Sequence, residues 1–134
     1  MNNFYSAGSQ SFVGRLEEIA SLLRAGKKIN AIKVYREVTR ASLAEAKDAV
    51  ERLDMALQMY GTMVVADTLT EVAQKGMPID MNVQSILLTE MAYLVSKGQH
   101  IQAIKLYRER TGMGLSDAKM VVDRIELMMR ASGF

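Results

Sequence analysis

Cysteine is absent from this chain of 134 residues. That removes disulfides, thiol nucleophiles and thiolate metal sites together, and leaves the chain indifferent to redox compartment. Proline occurs once and β-branched alternating runs are scarce, so little interrupts a helix. No sign of charge dominates: 17 Lys and Arg stand against 15 Asp and Glu, split nine to seven up to Tyr60 and eight to eight from Gly61 onward. Such a balance lacks the field of a dedicated nucleic-acid binder or of an acidic mimic of one. No stretch approaches the roughly 20 apolar residues that cross a bilayer. The opening MNNFYSAGSQ has neither the basic start nor the apolar run of a signal peptide. A cytoplasmic protein with a flexible N-terminus, residues 1–10, is the expectation.

Hydrophobic residues make up 49% of the chain, enough to bury the core of one domain or of two small halves sharing one. Ala, Leu, Met, Glu, Lys and Arg dominate, which predicts an all-α fold. Phe12, Leu16, Ile19, Leu22 and Leu23 recur at helical spacing behind a Ser11 cap, and Gly26 stops that helix. A second helix is expected from about Lys28 to Thr39. A third starts at Ser42, where Ser42 and Glu45 form an S-x-x-E capping box, and Leu43, Ala46, Val50, Leu53 and Leu57 give it an apolar stripe. A central helix is expected between Gly61 and Gly76, ahead of Pro78, although Met63, Val64 and Val65 also suit a short strand. Asp80 or Asn82 caps the next helix, which stops at Gly98. Helices from about His100 to Thr111 and from Leu115 to about Arg130 then follow, joined by a turn at Gly112 to Gly114. Eleven methionines are many for this length, and they suit irregular packing first and adaptable surfaces second.

The order of the first half returns in the second. Aligned without a gap, Glu18 to Leu53 and Glu90 to Ile125 are identical at 17 of 36 positions, at an offset of 72 residues. Gly26 matches Gly98, the run Ala31, Ile32, Lys33 matches Ala103, Ile104, Lys105, and Tyr35, Arg36, Glu37 match Tyr107, Arg108, Glu109. Stops, apolar stripe and selected charges all repeat, the mark of an internal duplication. The expected organisation is two tandem three-helix units, 11–60 and 83–134, joined by a central helix and linker over 61–82.

The repeated phrase carries a pattern in Ile104, Lys105, Arg108, Thr111, Gly112, Gly114, Leu115, Ala118, Lys119 and Val122. It resembles the helical hairpin of the C-terminal domain of the bacterial ribosomal stalk protein, present here twice and without that domain's strands. The resemblance implies a helix, a glycine turn and a second helix whose exposed side docks translation GTPases. Carried over by position, it implies a docking surface of Ile101, Ile104, Lys105, Arg108 and Lys119 in the second copy, and of Ile29, Ile32, Lys33, Arg36 and Lys47 in the first. Apolar residues would supply contact area, and the cations would orient an acidic partner. The first copy reads Thr39-Arg40-Ala41-Ser42 where the pattern has glycines.

Two readings of that face stay open. Residues 29, 32, 33 and 36 share one helical face, so it is either a binding patch or the rim of a core. His100, the one histidine, has no second ligand-type neighbour and reads as a solvated residue at a helix start rather than a metal ligand. Glu45 and Asp48 beside Lys47 and Arg52 read as solubilising surface pairs. No cofactor is implied, and no arrangement of acids, hydroxyls or glycines points to an enzyme. The function expected is non-enzymatic binding of another protein, such as a translation or ribosome-associated factor. The alternative is a stand-alone inhibitor or neutraliser of one protein, of the immunity, antitoxin or phage-antagonist kind. A helix-turn-helix DNA reading is weaker, because Lys119 and Arg124 are offset by Asp117 and Asp123. Met55, Met59 and Met63 form a stripe that would suit a homodimer or an internal core.

Overall fold

The computed structural model describes residues 14–61, 80–131 and 133, which form six helices and no strand. We label them α1 (14–24), α2 (Lys28–Thr39), α3 (Leu43–Tyr60), α4 (Met81–Ser96), α5 (His100–Thr111) and α6 (Leu115–Ala131). Over the described residues the fold is all-α, as the composition predicts. Ser11, Phe12, Met63 and the central helix expected before Gly76 lie outside the described residues. No helix among those described is long and apolar enough to cross a membrane.

Local chemistry sets the joints. Ser42 Oγ accepts from Glu45 N at 3.2 Å while Glu45 Oε1 accepts from Ser42 N at 3.0 Å, so the capping box at the start of α3 is complete. These bonds hold the Glu45 carboxyl below its ordinary range, helped by Arg110 nearby. Asp80 caps α4 by accepting from Asn82 N at 2.7 Å. At the ends of α1 and α4 the chain turns through Gly26 and Gly98, both at φ +75°. The amides that follow, Lys27 N and Gln99 N, reach back to Leu22 O at 2.8 Å and Leu94 O at 2.9 Å.

The turn between α2 and α3 needs a left-handed residue as well, and there it is Arg40, at φ 62°, where the second turn has Gly112 at φ 74°. The missing glycine is thus absorbed as backbone strain. Thr39 and Thr111 brace the two turns alike: Thr39 Oγ1 donates to Tyr35 O at 2.8 Å and accepts from Ala41 N, and Thr111 Oγ1 donates to Tyr107 O at 2.6 Å and accepts from Met113 N. A left-handed conformation costs a residue with a Cβ ~1–2 kcal/mol, partly offset by the chain entropy that glycine loses on folding. Arg40→Gly should therefore stabilise the protein by roughly 0.5–1 kcal/mol, read as a higher midpoint in thermal unfolding. Gly112→Arg should shift that midpoint down.

Helix α4 holds the structure together. Eleven of its 16 residues are buried, on every side of the helix, as expected of a helix enclosed by neighbours. It packs against α3, α5 and α6, and more lightly against α2. Ile86 joins Leu16, Ile19, Tyr35, Val50 and Leu53 in one apolar cluster, while Leu87, Leu88, Met91 and Val95 join Tyr107, Val122 and Ile125 in another. Sharing runs both ways, because Ala56 and Tyr60 at the end of α3 belong to the second cluster.

Four buried side chains of α4 are polar: Gln84, Ser85, Thr89 and Glu90. Ser85 and Thr89 donate to carbonyls of their own helix, to Asn82 O at 3.0 Å and Ser85 O at 2.8 Å. Gln84 Oε1 accepts from the Tyr107 hydroxyl at 2.9 Å. Glu90 accepts from the Tyr35 hydroxyl at 2.6 Å and from Arg52 Nη2 at 3.1 Å. The two matched tyrosines, 72 residues apart, therefore both end on α4. Arg52, expected as a surface partner of the α3 acids, instead turns inward, because a fully buried carboxylate demands a cation more strongly than an exposed one does.

Candidate docking surface

The hairpin of α5 and α6 shows how the sequence orients its exposed face. Only Ala103 and Tyr107 of α5 are buried, one turn apart. The small alanine lets the helix lie close to its neighbour, and Tyr107 reaches Gln84. Residues opposite that pair must then face outward. Ile101 accordingly stands 81% exposed, and Lys105 and Arg108 are exposed beside it. Ile104 is half-buried, with one side packed on the second apolar cluster.

Ile101, Ile104, Lys105 and Arg108 line one groove of about 540 Å³, completed by Glu109, Gly112, Met113 and Leu115. Leu115 also borders a second groove along α6, with Ser116, Lys119, Met120, Asp123, Arg124 and Leu127. The five positions carried over in the second copy thus fall on two adjoining grooves that share Leu115. Apolar floor and charged rim together offer contact area with orientation.

The first hairpin presents the same types. Ile29 is 72% exposed, Lys33, Arg36 and Lys47 are exposed, and Ile32 is half-buried against the first cluster. Arg36 Nε also donates to Ala41 O at 3.3 Å, which ties its guanidinium to the turn. Both open readings of this face are therefore present in part: the outer isoleucines stand in solvent, and the inner ones edge the core.

Two expectations need correction. Leu43, and Leu115 matched to it 72 residues on, share the spacing of their helices' packing stripes, yet they stand 48% and 52% exposed. Each lies one turn ahead of the first buried alanine, Ala46 or Ala118, and so projects past the core onto the hairpin's outer face. With Met113, Leu115 is a groove residue that sequence reasoning missed; a leucine repeated at both helix starts, ahead of the buried run, was the available signal. His100 stands at a helix start as expected, but it is paired rather than freely solvated. It begins α5, half-buried, with Nε2 3.2 Å from Glu126 Oε2. Lys28, its counterpart, likewise lies 2.6 Å from Glu51, and that carboxylate raises the lysine's pKa.

The family of the ribosomal protein L7/L12 C-terminal domain matches residues 20–73, 54 of the 134 residues. The match takes in α2, its turn and α3, and stops short of α5 and α6. Over that stretch the chain is similar to the domain, and the helical hairpin seen there agrees with the likeness. No curated protein and no solved structure matches the chain.

Proposed function

We propose that this chain is a non-enzymatic protein-binding module that docks a translation GTPase or another ribosome-associated factor through its helical hairpins. The likeness to the ribosomal L7/L12 C-terminal domain over residues 20–73 supports a ribosome-associated or protein-binding role. The observation that carries the reading is the pair of outward-facing apolar residues, Ile101 and Leu115, set in one groove beside Lys105 and Arg108. Large apolar side chains held in solvent beside cations are what a docking surface for an acidic partner requires. Packing does not explain them, since Ala103 and Tyr107 already seat α5, and Ala118, Val122 and Ile125 seat α6.

Co-sedimentation with ribosomes tests this. The wild-type chain should pellet with them, and Lys105→Glu combined with Arg108→Glu should weaken retention by about 10–100-fold, as reversing charges at an interface does. Retention that is insensitive to both reversals, or absent in the wild type, defeats the reading.

A further inference from the structure

We infer that the chain is bivalent: the α2–α3 hairpin and the α5–α6 hairpin each dock one copy of the same acidic partner protein. The inference rests on the docking reading above and adds its stoichiometry. It comes from comparing the two halves of the chain where packing has no say. Six non-glycine side chains are both identical between the copies and exposed in both: Ile29/Ile101, Lys33/Lys105, Arg36/Arg108, Glu37/Glu109, Leu43/Leu115 and Lys47/Lys119.

In the second hairpin all six line the two grooves that meet at Leu115. Elsewhere on the exposed surface the copies have drifted apart, as Ala25/Lys97, Lys27/Gln99, Asn30/Gln102 and Glu45/Asp117 show, and on the second groove the retained residues stand beside two changed ones, Ala44/Ser116 and Glu51/Asp123. A core identity is retained because the fold needs it. An exposed leucine and isoleucine retained in both copies, against solvent, need a different reason, and a shared ligand supplies one. Identity of all six also argues for one kind of partner at both faces.

Charge complementarity specifies that partner. Among the six retained positions each face carries three cations against one carboxylate, and the second face adds Arg124 and Asp123, which offset each other, whereas the whole chain has a formal net charge of +2. The positive field is concentrated on the two faces, so the partner surface is acidic with an apolar centre. The faces belong to separate hairpins, and the buried α4 packs against both. Two partner copies, or two adjacent copies on one assembly, would be held by one chain, with the avidity that linked sites give.

Sedimentation velocity with a purified elongation-factor GTPase, the partner class proposed above, tests the inference. Arg36 is left intact because it also holds the turn at Ala41. Wild type should form a complex of one chain with two GTPases. Lys33→Glu with Lys47→Glu, and separately Lys105→Glu with Lys119→Glu, should each reduce it to one with one, and all four changes together should abolish it. All four lysines are exposed, so unchanged circular dichroism is expected. On a surface densely coated with the GTPase, wild type should bind at least about 100-fold more tightly than either double variant. A wild-type complex of one with one that only a single double variant disrupts overturns bivalency and leaves the docking reading standing. Absence of any wild-type complex overturns bivalency toward the GTPase, and absence of ribosome co-sedimentation besides overturns the docking reading as well.

Discussion

Glu90→Ala should lower the free energy of unfolding by about 3 kcal/mol, at the lower end of what removing one partner of a buried ion pair does. Glu90 is fully buried on α4, accepting from Tyr35 of α2 and Arg52 of α3. Without the carboxylate the Tyr35 hydroxyl, itself buried, keeps a donor with no acceptor, a loss of roughly 1–3 kcal/mol. Arg52 suffers less, because its side chain is 25% exposed and can turn outward. For a domain whose whole stability is about 5–15 kcal/mol, this is a large fraction, and urea denaturation will show it as a lower midpoint at unchanged slope.

The same carboxyl gives a pH signature. Burial pushes it up to about 7 from 4.5, against the pull of Arg52, the Tyr35 hydroxyl and the more distant Arg110. Between those two values the folded chain holds a proton that the unfolded chain has released. The carboxyl's contribution to stability is therefore greatest below pH 4.5, declines as pH rises towards 7, and levels off above it. Integrated over that window the decline is at most about 3 kcal/mol. Glu90→Gln removes the titration while retaining an acceptor for Tyr35. Relative to that variant, wild type should be more stable at pH 5 than at pH 8; a gap that does not change with pH would refute the assignment.

Leu88→Ala and Leu115→Ala make the second prediction, because one residue type should give opposite readouts. Leu88 is fully buried in the cluster joining α4 to α5 and α6, and truncating such a leucine costs about 2–5 kcal/mol in lost contacts and cavity. Leu115 is 52% exposed, and surface truncations stay within about 0.5 kcal/mol. Differential scanning calorimetry should therefore show a large fall in Tm for Leu88→Ala and almost none for Leu115→Ala. Binding should reverse the order: Leu115→Ala weakens ribosome retention severalfold, and Leu88→Ala leaves it intact below its own Tm. A destabilised Leu115→Ala would place that residue in the core after all.

Much of the helical skeleton was readable because its punctuation is chemical. Lys28–Thr39, His100–Thr111 and the start of α6 at Leu115 follow from glycine stops, the Ser42–Glu45 box and helical spacing. The role of α4 was not readable. Nothing in the spacing of Gln84, Ser85, Thr89 and Glu90 calls for burial until Tyr35, Arg52 and Tyr107 arrive from other helices, and no local pattern encodes partners so far apart in the chain. The candidate surface was half legible for a related reason. Repetition singled out Ile101, Lys105 and Arg108, but periodicity alone assigned Leu43 and Leu115 inward, since spacing fixes which residues share a face and not how far along the helix the core extends.

The dependence of the first cluster on Ile86 and Glu90 orders events while the chain is being made. When residue 61 has left the ribosome, α2 and α3 exist as sequence, but the acceptor for Tyr35, the inner partner of Arg52 and the isoleucine that completes their packing are still to be synthesised. Until α4 emerges, the N-terminal half lacks the partner that both halves share.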